Sequence, residues 1–215
     1  MVTVNLAIAA STDDATQSGA VVNLIATFSV IVDAVNEFIG LRFQNVTVPQ
    51  GTTIDSAILS VLISSSAQDE PQHTIYGEAS DNAVTFADAS PDKPAERVPT
   101  TATVLWDVLD LGADGLTYFS PPDLKDIVQE IVNRAGWVSG NSLVIMIQGG
   151  ADPNRDLAIA MWDNADPTMY AKLDITYSAG IRSSRTTGHK IRYRGPVYIK
   201  TSKFQRLIRR RRLAS

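Results

Sequence analysis

Hydrophobic and polar positions alternate along much of the chain. In VTVNLAIA the apolar residues Val2, Val4, Leu6 and Ile8 fall on one face, the period of a half-buried strand. IDSAILSVLIS repeats the pattern. So does AKLDITYS, with Leu173, Ile175 and Tyr177 inward against Lys172, Asp174 and Thr176. SLVIMIQGG and LAIAMWD are unbroken apolar runs that end in turn residues, as expected of strands covered on both faces. The stretches VPQGT, SDNA, SPDKP, GADG, GADPNRD and DNADP punctuate these runs with turn-forming residues. Many short strands spaced in this way predict an all-β fold, a mainly antiparallel β-sandwich or jelly roll.

One segment departs from the alternation. In SPPDLKDIVQEIVNRAGW the residues Leu124, Ile127, Val128, Ile131 and Val132 recur at helical spacing, so an amphipathic helix is expected near 121–135. Ser120 suits the N-cap, Pro121 the first helical position, and Asp123 the acidic place of a capping box. Gly136 reads as a left-handed stop, with Trp137 folding back on the last turn. The apolar stripe is read as packing against a β core rather than as a groove.

Charge changes the picture more than composition does. The 215 residues carry 19 basic and 23 acidic side chains, a net charge of -4. All 23 acids lie in residues 1–180, together with only 7 of the Lys and Arg. That portion is therefore -16, whereas residues 181–215 hold 12 basic residues and no acid. The chain reads as a sandwich module over 1–180 followed by an extended basic C-terminal arm over 181–215. Such a split marks an interaction arm.

The arm mixes its charges with apolar anchors, which a solubilising tail would not need. Its candidate partner-binding residues are Lys190, Arg192, Tyr193, Arg194, Tyr198, Lys200, Lys203, Phe204, Arg206, Arg209, Arg210, Arg211 and Arg212. IRYRGPVYIK has the alternation of a strand able to add to an exposed sheet edge, with Pro196 at a kink. SKFQRLIRRRRL suits a short amphipathic helix ordered by a partner. Fully extended, the arm reaches on the order of 115 Å. Copies of the same chain and other proteins of an assembly are the expected partners. Nucleic acid is the rival, since Arg clusters neutralise phosphates, but the -16 body would repel a duplex.

Candidate chemistry elsewhere is sparse. The chain has no cysteine and only two histidines, His73 and His189, which excludes disulfides and soft-ligand metal sites. No G-x-S-x-G turn is present, and Asp107, Asp110 and Asp114 read as solvated turn acids rather than a glycosidase pair. No enzymatic activity and no cofactor are expected. Calcium alone stays open, through hard oxygens at Asp152, Asn154 and Asp156, at Asp163, Asn164 and Asp166, or at Asp13 and Asp14; turn capping is the simpler reading of each. Trp106, Trp137 and Trp162 offer a glycan-stacking platform if their rings face water, and core packing otherwise. AVVNLIATFSVIV is too short and too polar to span a membrane, and the N-terminus lacks a signal-peptide pattern.

STDDATQSG, FIGLRFQNVTVPQGTTIDSAILSV, TIYGEASDNAVTF, TTATVLWDV and SPPDLKDIVQEIVNRAGWVSGNSLVIMIQG follow one another in that order. Together they resemble a β-sandwich module repeated in large bacterial surface and secreted proteins and found in some phage-encoded proteins. That module is similar in style to carbohydrate-binding jelly rolls. The resemblance runs from about Thr3 to Ser178 and leaves the basic arm outside. It implies a non-catalytic adhesive or structural role and carries over no ligand-binding residues. With the arm, it points to a bacteriophage virion protein, capsid-decorating or tail-associated, made in the host cytoplasm. A glycan-binding adhesion module is the alternative.

Overall fold

The computed structural model describes residues 1–32, 36–66, 72–107, 117–150, 156–164 and 166–178, which belong to the unit Met1–Gly180. The arm lies outside the described residues. Twelve strands occur among them: β1 (Val2–Ala7), β2 (Asp14–Ser18), β3 (Val21–Asn23), β4 (Phe28–Val32), β5 (Glu37–Phe43), β6 (Thr53–Ser66), β7 (Gln72–Glu78), β8 (Pro99–Asp107), β9 (Thr117–Phe119), β10 (Leu143–Gln148), β11 (Asp156–Ala160) and β12 (Lys172–Ser178). One helix, α1 (Lys125–Val132), separates β9 from β10.

The strands form two antiparallel sheets. The first has the order β1-β12-β6-β11-β4, with β9 also paired to β6; the second has the order β3-β2-β5-β10-β7-β8. A single core joins them. Leu59, Val61, Leu173 and Ile175 of the first sheet pack with Leu41, Phe43, Ile145 and Ile147 of the second. The arrangement is β-sandwich-like and all-β apart from α1, as the alternation predicts. The expected inward set of β12 holds: Leu173, Ile175 and Tyr177 are buried, while Lys172 faces solvent.

The apolar run of β10 is covered on both sides. Ile145 and Ile147 face the main core, whereas Val144 and Met146 meet a second cluster with Ala15, Tyr76, Ala83 and Phe86. Residues 79–98 supply that outer layer. Gly40 of β5 is what lets it approach, because a Cβ there would lie 2.3 Å from Phe86 Cζ. Arg97 pins the layer from within: its guanidinium donates to Glu78 Oε2 (3.1 Å), Thr85 O (2.9 Å) and Asp92 O (3.0 Å), and lies 4.9 Å from the Phe86 ring centre.

α1 closes one side of the sandwich. Leu124, Ile127, Val128, Ile131 and Val132 are all fully buried, each contributing about 1.5–3 kcal/mol by leaving water. The helix is shorter than expected at both ends. Pro121 to Leu124 do not wind into it, because they line the edge of β6: Leu124 N donates to Ala57 O (2.9 Å), and Asp123 Oδ1 accepts from Ala57 N (2.8 Å) and Lys125 N (2.9 Å). Asp123 therefore satisfies the first turn, and Ser120 instead bonds Ser60 (3.1 Å). Gly136 is not a left-handed stop. Among the described residues the positive-φ glycines are Gly19, Gly51 and Gly140. Gly136 is small because Asp81 lies against it, 2.1 Å from where a Cβ would sit.

Candidate functional site

The motifs that carry the sequence resemblance converge on one another. Arg42, on β5, points outward from the main core toward the turn that precedes β2. Its Nη1 bonds Asp13 Oδ1, its Nε donates to Ala83 O (2.9 Å) and its Nη2 to Ser142 Oγ (3.0 Å). Gln44 Nε2 donates to the other Asp13 oxygen. Asn82 Oδ1 takes the N–H of Ser142 (2.9 Å), and Asn141 Nδ2 donates to Asp81 O (2.9 Å). Arg134 Nε, just past α1, closes the circuit on Asp81 Oδ1 (2.7 Å). In the VPQGT turn, Val48 O accepts the indole N–H of Trp137 (2.9 Å) and Thr52 O accepts Gln129 Nε2 (2.9 Å). These side chains are spent on one another and hold the framework.

Asp14 sits beside this network, buried, with Oδ2 accepting from Trp162 N (2.6 Å). Burial above all pushes its carboxyl up to about 7; the Trp162 N–H opposes this, and the charges of Asp163 and Asp13 add to it. Ser11 Oγ donates to Asp163 Oδ2 (2.9 Å). A perturbed buried acid is a reason to look for function. Four of the calcium candidates already have a protein partner: Asp13 has Arg42 and Gln44, Asp14 has Trp162, Asp163 has Ser11, and Asp166 Oδ1 caps Thr168 N (2.9 Å). Among the described residues no group of three His, Asp or Glu side chains is placed to hold a metal ion. Asp152 and Asn154 lie outside the described residues, and Asp156 opens β11 opposite Val32.

The tryptophans do not share a face. Trp106 and Trp137 are buried at 4% and 2% exposure, which removes both rings from any platform open to solvent. Trp106 stands opposite His73 across the β7–β8 pair, ring centres 6.3 Å apart. His73 is enclosed, and burial lowers its imidazole to about 4, partly offset by the backbone at Gln148. Trp162 alone stays half-exposed, stacked on Tyr170 at 4.4 Å. Nearby Tyr118 bonds the carbonyls of Thr168 and Tyr170 and carries Lys172 Nζ over its ring at 4.5 Å.

Two strands, β1 and β4, end the first sheet. β1 is bonded to β12 on one side, with Thr3–Thr176 (3.1 Å) and Asn5–Asp174 (2.7 Å) as side-chain rungs. No described residue bonds its other side. Sequence alternation foresaw the strand but not its place at the rim of the sheet, which is set by partners far along the chain. Lys190, Arg192, Tyr193, Arg194, Tyr198, Lys200, Lys203, Phe204, Arg206 and Arg209 to Arg212 lie outside the described residues. The chain matches no protein-family model and no curated protein.

Proposed function

We propose that this chain is a non-enzymatic structural component of a larger assembly, a bacteriophage virion in the simplest case, in a capsid-decorating or tail-associated position. The body serves as a rigid module of the jelly-roll kind, and the basic arm docks on neighbouring subunits. One observation carries this reading: residues 1–180 hold every acid of the chain and a net -16, whereas residues 181–215 hold 12 cations interleaved with aromatic and aliphatic anchors. Opposite charge steers and registers the contact, and the anchors supply affinity. Repetition over many copies makes weak arm contacts collectively strong. The framework supports the same reading, because its polar motifs are consumed in mutual bonds. Truncation after Gly180 tests it: the truncated chain is expected to fold yet fail to enter particles, and normal incorporation would overturn the proposal.

A second reading is glycan binding at a surface, favoured by the half-exposed Trp162 stacked on Tyr170 beside Tyr118. Glycan-array binding abolished by Trp162→Ala supports it; an array with no signal removes it.

A further inference from the structure

Sheet edges invite pairing, and folds usually blunt them with charge, proline, brevity or cover. The edge of β8 is covered, since Glu130 accepts the N–H groups of Thr101 and Ala102, both at 2.8 Å. β3 is only three residues long. Among the described residues β1 has none of these protections: six residues, VTVNLA, without a charge or a proline; β4, at the other end of that sheet, is shorter at five residues. Its core-facing positions are also incomplete. Val4 and Leu6 are half-buried, although Leu173 and Ile175 beside them on β12 are fully buried. The core ends at β1 as though one more strand belonged there.

We propose that the free edge of β1 receives residues 190–194 (KIRYR) of a second copy of this chain as an added strand. The inference rests on the assembly reading above and names the surface that the arm uses. Three features select this occupant. Its alternation fits: with Ile191 and Tyr193 on the core side they cover Val4 and Leu6, while Lys190, Arg192 and Arg194 fall on the face that carries Thr3 and Asn5. Its charge fits the body as a whole, since residues 1–180 are -16 and β1 carries no basic side chain, while the next strand presents both Lys172 and Asp174 on that face. Its end fits, because Gly195-Pro196 follows directly and proline cannot donate to a ladder. The spacer favours a second copy. β12 stops at Ser178, with Tyr177 opposite Val2, so the described chain ends beside the first residues of β1. An antiparallel strand added by the same chain would run parallel to β12 on the far side of β1, a crossover that takes about a dozen residues or more, whereas the 11 residues 179–189 reach about 35–40 Å when extended, enough to meet a neighbouring copy.

The test uses the full chain, which has no native cysteine. Sedimentation is expected to show self-association that weakens about tenfold or more in Thr3→Lys/Asn5→Lys, which places charge on the edge, and equally in Arg192→Glu/Arg194→Glu, which leaves the folded body untouched. Mixing Asn5→Cys chains with Arg192→Cys chains is expected to give a disulfide-linked heterodimer. An intrachain disulfide in the dilute double-cysteine chain would show that the arm covers its own edge, and would overturn the inference. Self-association lost on truncation after Gly180 but unchanged by Thr3→Lys/Asn5→Lys would sink the β1 edge and leave arm-driven assembly standing. Self-association that survives the truncation would sink both.

Discussion

Gln129 and Glu130 are neighbours in α1, yet they satisfy the edges of two different sheets. Gln129 Oε1 accepts the N–H of Ile54 on β6 (2.8 Å), and Gln129 Nε2 donates to Thr52 O (2.9 Å). Glu130 takes the consecutive N–H groups of Thr101 and Ala102 on β8. The helix thereby clips the two sheets together at places where no further described strand pairs with them. Gln129→Ala leaves the N–H of the buried Ile54 unpaired and is expected to cost about 1–3 kcal/mol. Glu130→Ala should cost less, near 1 kcal/mol, because Thr101 is exposed and water replaces the carboxylate. Urea midpoints of the two variants check the order, and equal losses would contradict it.

The Asp13–Arg42 pair holds its charges largely out of water, with side chains 1% and 15% exposed. Asp13 is 1% exposed and meets both Arg42 and Gln44. Asp13→Ala strands a guanidinium whose other bonds, to Ala83 O and Ser142 Oγ, hold it in place. A loss of about 3–5 kcal/mol is expected. Arg42→Lys should be nearly as damaging, since one ammonium cannot reach three acceptors placed for a fork. Denaturant unfolding of both variants measures this, and a near-neutral Arg42→Lys would show that point charge alone suffices.

These examples show what the sequence makes legible. β10 and β12 were readable because burial on both faces, or on one, writes its period directly into residues 143–148 and 172–178. The stripe of α1 was readable for the same reason. Its bounds were not, because Pro121 to Leu124 obey the edge of β6 rather than local propensity. Gly136 shows a second limit: a glycine after a helix looks the same whether it serves a left-handed turn or makes room for Asp81, 55 positions earlier. Asp13 and Asp14 stood out as a pair, but Arg42 sits 29 positions from Asp13 and Trp162 148 positions from Asp14. No spacing rule joins them.

Two buried groups should impose opposite pH dependences. Asp14 is raised from 3.8 to about 7, so the folded chain holds a proton that the unfolded chain releases. The stability associated with that proton is full below about pH 3.8 and is lost as pH rises through about 7. His73 is lowered from 6.5 to about 4. Its contribution is full above pH 6.5 and is lost as pH falls through about 4. Between these limits the two slopes oppose each other. Asp14→Asn is expected to remove the Asp14 share of the falling slope, leaving that of Glu78, so that stability rises more steeply with pH up to 6.5 than in the unmodified chain. Unfolding free energies of that variant across the window decide the matter. A profile parallel to the unmodified chain would show that Asp14 titrates normally in the fold.

Gly40 sets how closely the outer layer lies on the second sheet. The Phe86 ring touches the Gly40 backbone so closely that a Cβ would stand 2.3, 2.7 and 3.0 Å from three ring atoms. Phe86 is also the aromatic face beneath Arg97, and Arg97 ties Glu78 to the carbonyls of Thr85 and Asp92. Moving the ring therefore disturbs an ion pair whose acid, Glu78, burial already pushes above its ordinary range. Gly40→Ala should cost about 1–3 kcal/mol through overpacking. The loss should concentrate in residues 79–98, with faster amide exchange at Ala87 and Asp92, whose N–H groups close that loop. Phe86→Leu in the same background shortens the obstructing side chain and is expected to recover part of the loss. If exchange instead rises evenly over both sheets, the outer layer and the sandwich unfold as one unit.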